Sequence, residues 1–125
     1  MLTKYNPKGK NVWDLVKILF NGSRRTNPMD ILKSDTGLDV RFSNKGFYGK
    51  GIYFADNSNY SKYFAYSDKQ SSTYSMFFCF VIVGNSVLLE RNKDLNAPPL
   101  KPFSDRYDSV RNIDSSHYVI YDTNK

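Results

Sequence analysis

Phe47 to Ser61 reads FYGKGIYFADNSNYS. Gly49 and Gly51 bracket Lys50, and a short apolar stretch, Ile52-Tyr53-Phe54-Ala55, follows at once. Glycines beside a strand let a backbone come close to a flat or charged ligand. An aromatic directly after them can lie against that ligand's face. Earlier in the chain, Leu19 to Thr26 reads LFNGSRRT, a strand that ends in Asn-Gly-Ser and runs into two arginines. Together the two segments describe a cleft with bare backbone, a stacking ring and cationic donors. That chemistry holds a nucleotide by its base-like ring and its phosphates.

The 125 residues fit one domain. Residues 1–11 are polar, contain Pro7 and Gly9, and read as an N-terminal tail; residues 12–125 form the domain. Ten Tyr and nine Phe favour strands and aromatic-lined clefts. Apolar runs fall well short of the roughly 20 residues of a membrane span. The start, MLTKYNPKGK, has no apolar signal region. The expectation is an intracellular monomer, in cytoplasm or nucleus, that makes no use of a membrane. One cysteine, Cys79, excludes a disulfide framework within the chain, and a metal cluster lacks ligands. Cys79 lies inside an apolar strand and reads as a small core residue. The net charge of +6 serves solubility or draws anions such as pyrophosphate, nucleic acid or acidic protein. The basic residues are spread along the chain, without the block that marks a nucleic-acid arm.

Local signals place the elements. Val12 to Phe20 begins as a helical turn and passes into a strand. Asn27-Pro28 starts a short helix that runs to about Lys33 and stops before Gly37. Leu38 to Phe42 alternates as a strand does, Ser43 to Gly46 is a turn, and Ile52 to Ala55 is a strand. Asp56 or Asn57 caps a helix reaching about Tyr66. Tyr74 to Val83 is the strongest strand. Gly84-Asn85 turns into a strand at Val87 to Glu90, residues 91–106 are an irregular loop, and Tyr118 to Tyr121 is the last strand. Strands outnumber helices and do not alternate regularly with them. The fold class is α+β with a mainly antiparallel sheet.

These blocks carry a resemblance. LFNGSRRT resembles the LFHGT/WHGSR segment of the poly(ADP-ribose) polymerase family, the diphtheria-toxin-like ADP-ribosyltransferases. GFYGKGIYFADNSNYS is similar to that family's G-x-G-I-Y-F-A-D-x-x-S-x-S signature. CFVIVGNSVLL (Cys79 to Leu89) is similar to its next core strand, RYDSV (Arg106 to Val110) to the segment before the last catalytic strand, and HYVIYD (His117 to Asp122) to that strand. One Gly-x-Gly would be weak, whereas five ordered blocks are specific. The resemblance implies a split antiparallel sheet with short flanking helices, closest to the mono-ADP-ribosylating members, and no helical regulatory domain.

It also implies NAD+ as substrate and transfer of ADP-ribose with loss of nicotinamide. Gly22 would bond the nicotinamide carboxamide through its backbone, and Ser61 through its hydroxyl. Tyr53 would lie against one face of the nicotinamide, and Phe64, or Tyr63 with a small shift, would cover the other. Ser23 and the Arg24-Arg25 pair would face the adenosine side. Residues 38–48 would be the donor loop and residues 91–106 the acceptor loop. The family's His-Tyr-Glu triad becomes Asn21, Tyr53 and His117 here. An asparagine amide both donates and accepts, so Asn21 can partly replace the His. A histidine supplies no negative charge in place of the Glu, and one lost electrostatic contact of this kind costs about 10²–10³ in rate. Poly(ADP-ribose) synthesis is not expected. Two readings follow: mono-ADP-ribosylation of a protein or nucleic-acid acceptor, or a weak or inactive relative that binds NAD, ADP-ribose, RNA or protein.

Overall fold

The computed structural model describes residues 11–43, 45–103, 105–112 and 117–122. The expected tail lies outside the described residues up to position 10. Asn11 is instead the cap of a short helix, Val12–Leu15, its side chain accepting from the Trp13 N–H at 3.0 Å. The helix leads straight into β1, Val16–Asn21.

A six-stranded sheet forms the body, in the order β7-β1-β4-β10-β9-β8. Its other strands are β4 (Ile52–Ala55), β7 (Phe77–Ile82), β8 (Ser86–Leu89), β9 (Ser109–Asn112) and β10 (His117–Ile120). β8 and β9 run parallel; the other pairings are antiparallel. β1 pairs with β7 from Val16↔Ile82 to Asn21↔Phe77, and β4 with β10 from Ile52↔Ile120 to Ala55↔His117. Between these two ladders, β1 and β4 pair only at Phe20↔Ala55. The two halves are therefore joined at a single pair, and the gap opens beyond it, between the end of β1 and the start of β4.

Strand alternation sorts the core. Ile52 and Phe54 pack on one face with Leu19, Val81, Val83, Tyr118 and Ile120. Cys79 packs against this cluster, as expected of a core thiol, and burial pushes its pKa up. Tyr53 lies on the opposite face of β4 with Tyr48, Val110, Val119 and Tyr121.

Asn27 caps the Pro28–Lys33 helix, accepting from the Met29 N–H at 3.0 Å, as its sequence demands. Leu38 to Phe42 is not a strand. The buried Asp39 carboxylate accepts from the Arg41 N–H at 2.9 Å and closes a 3₁₀ turn, Val40–Phe42. Such a side-chain bond competes with a ladder. The Arg41 guanidinium also binds Asp39 and holds its carboxyl well below the usual range. The expected turn at Ser43 to Gly46 contributes β2, Lys45–Gly46, which pairs with β3, Gly49–Lys50. The helix after β4 is shorter than expected: Ser58–Ser61, then a 3₁₀ turn at Lys62–Phe64, then β5, Tyr66–Asp68. The long apolar strand is two: β6 (Thr73–Ser75) pairs with β5, and β7 joins the main sheet after Met76.

Candidate active site

The split in the sheet is one side of a cleft of about 1170 Å³. Its walls include Asn21, Gly22, Ser23, Arg24, Tyr53, Ser61 and Phe64. Seven of the predicted residues, far apart in sequence, thus meet around one space. Two do not. Tyr63 is 77% exposed and carries Lys62 over its ring at 5.8 Å, outside the cleft walls; its neighbour Phe64 is the ring that faces in. His117 also lies outside the lining, at the start of β10 opposite Ala55. Burial lowers the His117 pKa against a smaller opposing pull from Asp56. Burial thus favours the uncharged imidazole.

Asn21 is the last residue of β1 and is only 7% exposed. Its Nδ2 donates to the Tyr53 carbonyl at 2.8 Å, across the gap where the β1–β4 ladder stops. The carbonyl partner fixes the amide orientation, since only the NH₂ end can meet an acceptor. Its Oδ1 is buried without a hydrogen-bond partner among the described residues. A buried acceptor left unmade costs about 1–3 kcal/mol. Such an atom on the wall of a cleft is a place for a ligand hydroxyl or N–H.

Around it the backbone is packed tightly. A Cβ on Gly22 would lie 2.4 Å from the Phe64 carbonyl carbon and oxygen and 2.8 Å from the Ala65 nitrogen. The Arg24 N–H donates to that same Phe64 carbonyl at 2.7 Å. The Arg24 guanidinium sits over the Phe64 ring, 4.6 Å from its centroid. Gly22 is thus glycine because it clasps the turn that carries Phe64. Ser61, 3% exposed, donates through Oγ to the Phe20 carbonyl at 3.2 Å, so its lone pairs are left to accept. Ser23 Oγ donates to the Thr26 carbonyl at 2.7 Å and closes the arginine-bearing turn.

Tyr53 is fixed at its hydroxyl. It donates to the Gly49 carbonyl at 2.6 Å and accepts from the Tyr48 N–H at 3.0 Å. Tyr121 donates to the Tyr48 carbonyl at 2.5 Å, and Tyr48 to the Leu89 carbonyl at 3.0 Å. Burial, with Tyr53 and Tyr48 close by, pushes the Tyr121 pKa well above the usual phenol value. This network ties the β2–β3 hairpin to β4 and sets the ring angle of Tyr53.

The Gly-Lys-Gly glycines serve the chain itself. Gly49 has φ +78°, and a Cβ there would lie 1.8 Å from the Leu95 carbonyl oxygen. A Cβ on Gly51 would lie 2.6 Å from Val119 Cγ1, although Gly51 also lines the cleft. The sequence expectation of bare backbone held open for a ligand is corrected here for Gly49: residue 95 fills that space.

The other wall comes from the segments expected as donor loop (residues 38–48) and acceptor loop (residues 91–106), although the individual residues were not singled out: Lys45, Gly46, Phe47 and Lys93 line the cleft. Gly46 packs on the Tyr53 ring, where a Cβ would meet the hydroxyl at 2.7 Å. The Gly-rich composition of residues 46–51 was the available signal. Among the described residues, no group of three His, Cys, Asp or Glu is placed to hold a metal.

The family model for the poly(ADP-ribose) polymerase catalytic domain matches residues 2–101. A protein of Dictyostelium discoideum, named as a probable poly [ADP-ribose] polymerase, is 40% identical over 73 residues. The match covers 58% of this chain and 22% of that relative.

Proposed function

The chain belongs to the poly(ADP-ribose) polymerase catalytic-domain family, and from that premise we propose that it binds NAD+ in the cleft and transfers a single ADP-ribose unit, releasing nicotinamide. The observation that carries this reading is the buried, unpartnered Asn21 Oδ1 beside Tyr53, Ser61 and Phe64. NAD+ offers complementary groups. Tyr53 and Phe64 would flank the nicotinamide ring. The Gly22 backbone and the accepting lone pairs of Ser61 would take the carboxamide. Asn21 Oδ1 would accept from a ribose hydroxyl, its Nδ2 being held by the Tyr53 carbonyl. Ser23, Arg24 and Arg25 would lie toward the adenosine and its phosphates.

In the reaction the glycosidic C–N bond breaks and the nicotinamide nitrogen keeps the electron pair. An acceptor oxygen or nitrogen then bonds the anomeric carbon and gives up its proton. His117 brings no negative charge to the developing oxocarbenium ion or to a second acceptor ribose. That favours one addition per acceptor over chain growth. The same observation favours a second reading, in which the fold holds NAD+ or ADP-ribose without turning it over.

Incubation with labelled NAD+, followed by gel analysis, separates these readings. Labelling at a single-unit ladder step, above that of Tyr53→Ala, is expected. Calorimetric NAD+ binding with no label supports the non-turnover reading. Absence of both label and binding removes the cofactor from the account.

A further inference from the structure

We infer that the mouth of the cleft, at the β2–β3 hairpin, is a docking surface for single-stranded nucleic acid. Phe47 sits at the tip of this hairpin and is 48% exposed. The Arg91 guanidinium lies over its ring at 4.1 Å from the centroid, and Lys93 Nζ lies at 5.7 Å. Lys45 and Lys50 face each other across the hairpin, both exposed. Like charges directly opposite on a ladder are destabilising. Lys45 has partial relief from Asp94, whose Oδ1 is 3.4 Å away, and Glu90 precedes Arg91. Four cations against two carboxylates leave the patch positive. On the far side of the cleft Arg24 and Arg25 stand beside Asp30 and Asp39, so the excess of cations is on the hairpin side.

An exposed aromatic among cations is how a protein holds an unpaired strand. Bases stack on the ring and on the arginine plane, while phosphates meet the lysines. Charge alone would serve an acidic peptide equally well. The ring decides between them, because a peptide phosphate or carboxylate gains nothing from an aromatic platform held under a guanidinium. Docking rests on the ring and cations of the rim rather than on NAD+ binding, although Lys45, Phe47 and Lys93 line the same cleft.

Fluorescence anisotropy of the full chain with a labelled single-stranded oligouridine, read across a salt series, tests the assignment. Phe47→Ala is expected to weaken binding about tenfold, the loss of one stacked base. Combining Arg91→Gln with Lys93→Gln should lower the salt slope by about 1.4, the value of two phosphate contacts on a single strand. Melting by circular dichroism checks that each variant is folded. Unchanged affinity and slope in both variants overturns the inference, as does the absence of binding at low salt. Equal displacement by a phosphoserine peptide assigns the surface to a protein partner and also overturns it. Melting curves with 3-aminobenzamide keep the proposed activity separate. Oligonucleotide binding without a 3-aminobenzamide shift supports the surface and removes that activity; a shift without oligonucleotide binding does the reverse.

Discussion

On one side of the cleft, Asn21, Gly22, Ser61 and Phe64 are held by backbone contacts and hydrogen bonds, and the polar atoms are buried. On the other, Lys45, Phe47 and Lys93 stand in solvent, and the hairpin sets two lysines against each other. The first wall has little freedom to fit more than one shape. The second can adapt its long side chains to whatever arrives, at small cost in folding free energy. The difference teaches where each kind of recognition belongs: a constant ligand on the buried wall, a variable partner on the exposed one.

The comparison is most exposed at Gly22. In Gly22→Ala, the new methyl would enter the Phe64–Ala65 peptide, which is backbone and cannot rotate away. Overpacking of this kind costs about 3 kcal/mol. For a domain of this size the melting temperature should fall by about 12 °C, read by circular dichroism. A drop of less than about 3 °C would mean that the Phe64 turn yields, and that the buried wall is no stiffer than the rim.

Tyr53 joins the two walls and comes next. Tyr53→Phe keeps the ring that faces the cleft but removes the bonds to the Gly49 carbonyl and the Tyr48 N–H. The loss should be about 2 kcal/mol, since both partners are part-buried. Melting should drop by about 8 °C while the 3-aminobenzamide shift persists. If melting is unchanged and the shift is abolished, the hydroxyl serves the ligand rather than the hairpin.

Much of this was legible in the chain, and what was not has a common cause. The Asn27-Pro28 helix start and the Ile52–Ala55 strand follow from local residues alone. The convergence of LFNGSRRT with GKGIYFAD on one cleft is non-local and followed instead from the family resemblance of the five ordered blocks. The failures are non-local or turn on a single side chain. Asp39 closes its own turn and removes a strand that alternation had proposed. β9 is short and carries Arg111 and Asn112, and its parallel pairing with β8 lies outside any local pattern. Phe47 and Arg91 are distant in sequence, so their stacking leaves no trace in composition. Tyr63 and Phe64 are adjacent aromatics, and only the 3₁₀ turn decides which one faces in.

The smallest effect has the opposite sign and sharpens the contrast most. Lys50 faces Lys45 on the hairpin, and both side chains are exposed. Lys50→Glu turns a like-charge pair into an opposite-charge pair without touching the Lys50 backbone bond to the Leu95 carbonyl. Cross-strand pairs on a surface contribute about 0.2–1 kcal/mol, so the variant should melt about 2 °C higher. The gain should shrink as salt rises, because exposed charges are screened beyond about 8–10 Å at moderate ionic strength. The same change should weaken oligouridine binding by removing one cation. A stability gain coupled to a binding loss identifies a residue kept for a partner. If Lys50→Glu lowers the melting temperature, the lysine pair already has a stabilising role within the fold, and the rim is built on the same terms as the buried wall.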